Sequence, residues 1–135
     1  MERVDVAIVG GGPAGTSAAK TAAEGGAETL VLERGVPRAD RAGPGPDSTD
    51  AAGILDYWVD IMDVDPADIP DEVVLRELDG ADFYGPNSHV AIRDTGQEAS
   101  YSGFGFAFHR ARFDDWLREL AEEAGATYRV GDSVS

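Results

Sequence analysis

Apolar residues at Val4, Val6, Ile8 and Val9 form a short, nearly unbroken run that halts at Gly10-Gly11-Gly12. Such a run predicts a parallel-sheet strand buried on both faces. Pro13 suits a first helical turn because it has no amide hydrogen to leave unpaired, and the alanine-rich stretch 14–23 predicts a thin helix that ends at Gly25-Gly26. Leu30, Val31 and Leu32 predict a second buried strand ending at Glu33, so residues 4–33 have the order and length of one right-handed βαβ unit.

After this unit the pattern changes. Pro37, Gly43, Pro44, Gly45 and Pro46 mark a loop over 34–47 that also carries Arg34, Arg38 and Arg41. A helix capped by Asp47 or Ser48 is predicted next, with Ile54, Leu55, Trp58, Ile61 and Met62 on one face and Pro66 and Pro70 beyond it. Short apolar stretches at 73–78, 82–84, 89–92 and 104–108, separated by Gly80, Gly85-Pro86 and Gly96, predict antiparallel strands in an insertion. Phe113, Trp116, Leu117, Leu120, Ala121 and Ala124 fall on one helical face that ends at Gly125, and 126–130 predicts a third strand of the first sheet. The expected fold class is α/β: a Rossmann-like βαβ domain over 1–135 with an inserted helix and short antiparallel strands over 34–108. The helix and strand of 109–135 then return to the first sheet.

Charge narrows the partners. The chain of 135 residues carries 26 acids against 11 bases, a formal −15, and the acids concentrate in the middle, where residues 44–99 alone contribute −12. Nucleic acid and anionic membranes are poor partners for such a surface. The acidity fits either a solvated surface adapted to high salt, as in proteins of salt-loving archaea, or a docking face for a basic partner. With no cysteine there is no disulfide and no thiolate chemistry, and no run of apolar residues is long enough to cross a membrane. These features predict a cytoplasmic chain without a transmembrane segment.

The chemistry concentrates in Gly10-Gly11-Gly12-Pro13-Ala14-Gly15, a G-x-G-x-x-G placed between strand and helix, with Glu33 eighteen residues beyond Gly15. Glycine at the first position permits the tight turn, at the second lets backbone approach a pyrophosphate, and at the third lets helix and strand pack closely. A carboxylate at Glu33 accepts hydrogen bonds from ribose hydroxyls and repels a 2′-phosphate. The bland alternative is a glycine-rich connection with no ligand. Arg34 and Arg41 are candidate phosphate ligands or ordinary loop arginines, and Arg38 falls in the same group. Arg110 and Arg112 open the second strong helix, where a cation opposes the helix dipole and so points to a functional reason. His109 reads as a packed strand-end residue, His89 as exposed, and Trp58 and Trp116 as core.

The segments Val4–Gly15 (V-D-V-A-I-V-G-G-G-P-A-G), Leu30–Arg34 (L-V-L-E-R), and Phe108–Leu117 (F-H-R-A-R-F-D-D-W-L) with the following A-G-A resemble the N-terminal part of the FAD-dependent geranylgeranyl reductase family. That family is related to the FixC-type electron-transferring flavoproteins and to the flavin hydroxylases. The resemblance is strong at the two ends of the chain and loose over 44–100. It implies FAD as cofactor, with Gly10, Gly12, Gly15 and the Pro13 and Ala14 amides on its pyrophosphate, Glu33 on its ribose, Arg110 of R-x-x-F-D touching it, and Arg34 and Arg41 nearby. It also implies hydride delivery from reduced flavin to isoprenoid double bonds, or electron transfer between carriers. The partner would then be an isoprenoid lipid or an electron carrier, and the full-length form would be cytoplasmic or peripheral to the membrane.

Two departures stand out. Many isoprenoid reductases of the family carry a Cys-Gly segment where this chain has Gly43-Pro44-Gly45-Pro46-Asp47-Ser48, and the family's second FAD motif, a Gly-Asp on a later strand, has no counterpart here. The resemblance therefore implies a truncated FAD-binding portion, poor in catalysis by itself, with its catalytic residues unassigned. An NAD-binding dehydrogenase domain and a nucleotide-sensing module with an acidic docking face are the other readings.

Overall fold

A computed structural model describes residues 3–37, 40 and 53–135. The chain divides into two compact units, residues 1–47 with 111–135, and residues 48–110.

The first unit is built on a parallel sheet of order β1-β2-β8. Strand β1 (Val6–Val9) is joined to β2 (Thr29–Glu33) by helix α1 (Pro13–Glu24), and β8 (Thr127–Val130) follows helix α3 (Arg110–Glu123). Val6 pairs with Thr29 and Val9 with Leu32, while Leu30 pairs with Thr127 and Glu33 with Val130. This in-register parallel pairing brings the C-terminal ends of β1 and β2 together, where ligands of open α/β sheets bind. Glycine stops α1 as expected: the Gly25 amide donates to the Thr21 carbonyl at 3.1 Å, and Gly26 takes a φ of +84°.

Ala19, Val31, Ala121 and Ala126 form the core of this unit, with Ile8, Ala23 and Tyr128 packed around it. Burial is unequal along the sheet. Val31, in the central strand, is fully buried, which stabilises the unit by about 2 kcal/mol. Edge strand β1 instead alternates, with Val9 66% exposed. The expectation that β1 is buried on both faces is thus corrected: β1 pairs with β2, and its alternate residues Ala7 and Val9 are exposed.

The second unit holds an antiparallel sheet of order β3-β7-β4 and a two-stranded hairpin β5-β6. Its strands are β3 (Gly53–Leu55), β4 (Val74–Leu78), β5 (Ala81–Tyr84), β6 (His89–Ile92) and β7 (Gly105–Phe108). Gly105, at φ +152°, lies so close to β3 that a Cβ there would stand 2.1 Å from the Ile54 carbonyl oxygen. The hairpin is fastened by Arg93, whose two contacts to the Asp82 carboxylate measure 2.8 and 2.9 Å, and by His89 stacked on Tyr84 with ring centroids 4.5 Å apart. The Arg93 guanidinium holds the Asp82 carboxyl below the usual carboxylate range.

The middle of the chain corrects a second expectation. The predicted helix with Ile54 and Leu55 on its apolar face is a strand up to Leu55, and helix α2 spans only Asp56–Ile61. Ile54 faces Phe106 across the sheet, a long-range pairing that overrides helical spacing. Trp58 is 44% exposed and so is not core, whereas Trp116 is buried. The candidate caps Asp47 and Ser48 lie outside the described residues. Asp56 takes over that end, accepting from the Tyr57 amide and the Thr95 hydroxyl at 2.8 and 2.6 Å.

Candidate nucleotide site

The turn between β1 and α1 is shaped by close approach. The Gly10 amide donates to the Leu32 carbonyl at 2.9 Å, extending the β1–β2 ladder by one step, and the chain then reverses through Gly10 at φ +99°. At Gly15 a Cβ would stand 1.9 Å from the Gly10 carbonyl oxygen and 3.3 Å from an Ile8 methyl. Only hydrogen fits there, which is why the third glycine sets helix against strand. Gly12 differs: extended at φ −72° and ψ 179°, it has nothing within 4 Å of where a Cβ would project.

The first intrahelical bond runs from the Thr16 amide to the Gly12 carbonyl at 2.9 Å. The amides of Gly12, Ala14 and Gly15 precede it, and no acceptor is found for them among the described residues. Pro13 has no amide hydrogen, so the expectation that its amide grips phosphate is corrected; it fixes the first turn instead. These donors, the positive end of α1, and the open space beside Gly12 fit a diphosphate.

Glu33, the last residue of β2, reaches back over the turn. Its carboxylate accepts from the Gly11 amide and from the Gly35 amide, each at 2.5 Å. The acid is therefore at the tip expected for a ribose, and it is already engaged with backbone on both oxygens. Each oxygen keeps a lone pair for an incoming hydroxyl. Thr16, buried in α1, donates its hydroxyl to the Gly11 carbonyl at 3.0 Å. Sequence reading missed this residue, and its signal was a hydroxyl placed directly after the third glycine. The nearby Tyr128 hydroxyl is buried without reaching hydrogen-bond geometry with any described group; burial pushes the phenol up, with Thr16 pulling the other way.

Arg34 follows Glu33 and is exposed. Arg38 and Arg41 lie outside the described residues. Arg110 is the first residue of α3 and the last of the second unit, and Arg112 is exposed on the same helix. His89 is exposed, as expected, and the His109 amide donates to the Val73 carbonyl at 2.8 Å just after β7. No group of His, Asp or Glu that could hold a metal occurs among the described residues. A cleft of about 600 Å³ in the second unit is lined by Asp60, Asp63, Asp65 and Tyr101. There the Ser100 hydroxyl and amide bond Asp60 and hold its carboxyl below the usual range.

The parallel βαβ unit with a glycine turn and a terminal acid defines a dinucleotide-binding fold. Comparisons with known proteins narrow the class. A family profile described as pyridine nucleotide-disulphide oxidoreductase matches residues 4–51. Digeranylgeranylglycerophospholipid reductase 2 of Methanopyrus kandleri is 37% identical over 122 residues, covering 90% of this chain and 26% of that protein. The protein of the nifH2 5′ region of Methanosarcina barkeri is 32% identical, covering 97% of this chain and 67% of its own length. A solved geranylgeranyl bacteriochlorophyll reductase-like protein from Thermoplasma acidophilum superposes with a TM-score of 0.74 at 28% identity, over 97% of this chain and 30% of that one. The chain belongs to the geranylgeranyl reductase-like family of FAD-dependent oxidoreductases. It spans about a quarter of the Methanopyrus enzyme.

Proposed function

We propose that this chain forms the adenosine-diphosphate half-site for FAD in a flavin-dependent reductase acting on isoprenoid double bonds. The observation that carries the reading is the juxtaposition of three amides at the mouth of α1, without an acceptor among the described residues, with the Glu33 carboxylate at the end of β2. FAD held there would, when reduced, supply the hydride for reducing a carbon–carbon double bond, with a proton completing the addition.

The chain's own residues bind and orient. Gly12, Ala14 and Gly15 donate to the diphosphate oxygens, where charge-assisted bonds are worth ~1.5–3 kcal/mol each. Glu33 accepts from the ribose hydroxyls with the lone pairs that Gly11 and Gly35 leave free. Arg34, next in the chain, is exposed and supplies positive charge. The isoprenoid substrate is supported by the names of the Methanopyrus and Thermoplasma relatives. No helix among the described residues is long and apolar enough to cross a membrane.

Titration of the chain with ADP, FAD, FMN and 2′-phospho-ADP tests this. ADP and FAD are expected to bind within ~10-fold of each other, because they share the half-site, and FMN, which lacks it, is expected not to bind. A 2′-phosphate placed against Glu33 is expected to weaken binding at least ~10-fold through like-charge repulsion. Equal binding of FMN and ADP would overturn the proposal.

A further inference from the structure

Gly11, the residue between the first two glycines of the motif, is held from opposite sides by two side chains. Its amide donates to Glu33 at 2.5 Å, and its carbonyl accepts from the Thr16 hydroxyl at 3.0 Å. The first contact spans 22 residues and comes from the sheet; the second spans five and comes from the helix. A Cβ on Gly11 would stand 3.2 Å from the Glu33 Cβ and 3.3 Å from its Oε2, so the Glu33 side chain packs directly against Gly11.

We propose that Thr16 and Glu33 clamp Gly11 and so preset the phosphate turn in its binding conformation before any nucleotide arrives, Thr16 serving as a positioning residue that touches no ligand atom. This rests on the nucleotide reading above for its use, though not for its existence. Physically, a glycine turn is the part of the chain with most backbone freedom to lose, and ordering it on binding would subtract from affinity. With both faces of Gly11 fixed, the adjacent Gly12 amide and the first amides of α1 already point outward. The Thr16 hydroxyl has one proton, and that proton is committed to the Gly11 carbonyl. Glu33 serves both turns at once because each of its oxygens takes one amide, Gly11 on one and Gly35 on the other. Glutamine in its place has a single oxygen and can keep only one of the two.

The test uses the ligand-free chain and then ADP. Amide hydrogen exchange followed by NMR is expected to show Gly11 and Gly35 slowed at least ~10-fold in the free protein, with Glu33→Gln releasing one of them. Thr16→Val keeps the shape and removes the hydroxyl, and is expected to speed Gly11 exchange and weaken ADP ~3- to 10-fold, the worth of one hydrogen bond. Thr16→Ser restores the donor and is expected to recover binding to within ~2-fold. Free-protein exchange of Gly11 at the unprotected rate would overturn the clamp, as would wild-type exchange and ADP affinity in Thr16→Val. Protected Gly11 in a chain that does not bind ADP would uphold the clamp and overturn the nucleotide assignment instead.

Discussion

Gly15→Ala is expected to destabilise the first unit by about 3 kcal/mol or more, the upper range for overpacking, because the new methyl meets backbone instead of a side chain that can turn aside. The Gly10 carbonyl oxygen, 1.9 Å from the added Cβ, belongs to the same turn whose φ is already positive, so relief requires moving α1 off β1. That movement breaks the close packing of α1 on the Ala19–Val31 core. Chemical denaturation followed by circular dichroism should show the loss, and the melting temperature should fall by upwards of ~10 °C. Nucleotide binding should fail together with the fold.

Gly12→Val is expected to behave in the opposite manner. The backbone at Gly12 is extended at φ −72° and the space for a side chain is open, so stability should change by less than ~1 kcal/mol. That open space is where a diphosphate must sit to reach the Gly12 and Ala14 amides. Valine there should block at least two charge-assisted bonds, lowering ADP affinity ~100-fold or more. Calorimetric titration alongside a thermal melt separates the two variants: one loses the fold, the other loses the ligand. The pair also distinguishes packing from contact as the reason for two glycines that look alike in the motif.

What was legible in the sequence follows from how local its causes are. The βαβ unit could be read because its signals lie within one turn of where they act: Gly10 at a positive φ, Pro13 at the start of α1, alanines along it, and Gly25-Gly26 at its end. Helix α3 was readable from a single unbroken apolar face, with Phe113, Trp116, Leu117 and Ala121 buried. Strands β4 to β7 were readable from short apolar stretches punctuated by glycine. Ile54 and Leu55 misled because their spacing to Trp58 and Ile61 mimics a helix face, while the partner that makes them a strand, β7, lies some fifty residues away in sequence. Val9 misled because an apolar run cannot tell an edge strand from a central one.

The site shows the same division. Glycine positions and the terminal acid were visible as spacing, since the motif encodes a turn and a strand length. The use of Glu33 by the Gly11 and Gly35 amides was not, because it depends on where a carboxylate folds back once β2 ends. Thr16 gave only a weak signal for a related reason: a hydroxyl in a helix is ordinarily neutral, and the position of the Gly11 carbonyl is what gives it a task.

The most direct measurement is the amide chemical-shift map of the chain on addition of ADP. The largest changes are expected on Gly12, Ala14 and Gly15 and on the backbone flanking Glu33, saturating together with one affinity. Changes confined to the second unit, or none at the glycine turn at saturating ADP, would contradict the nucleotide assignment.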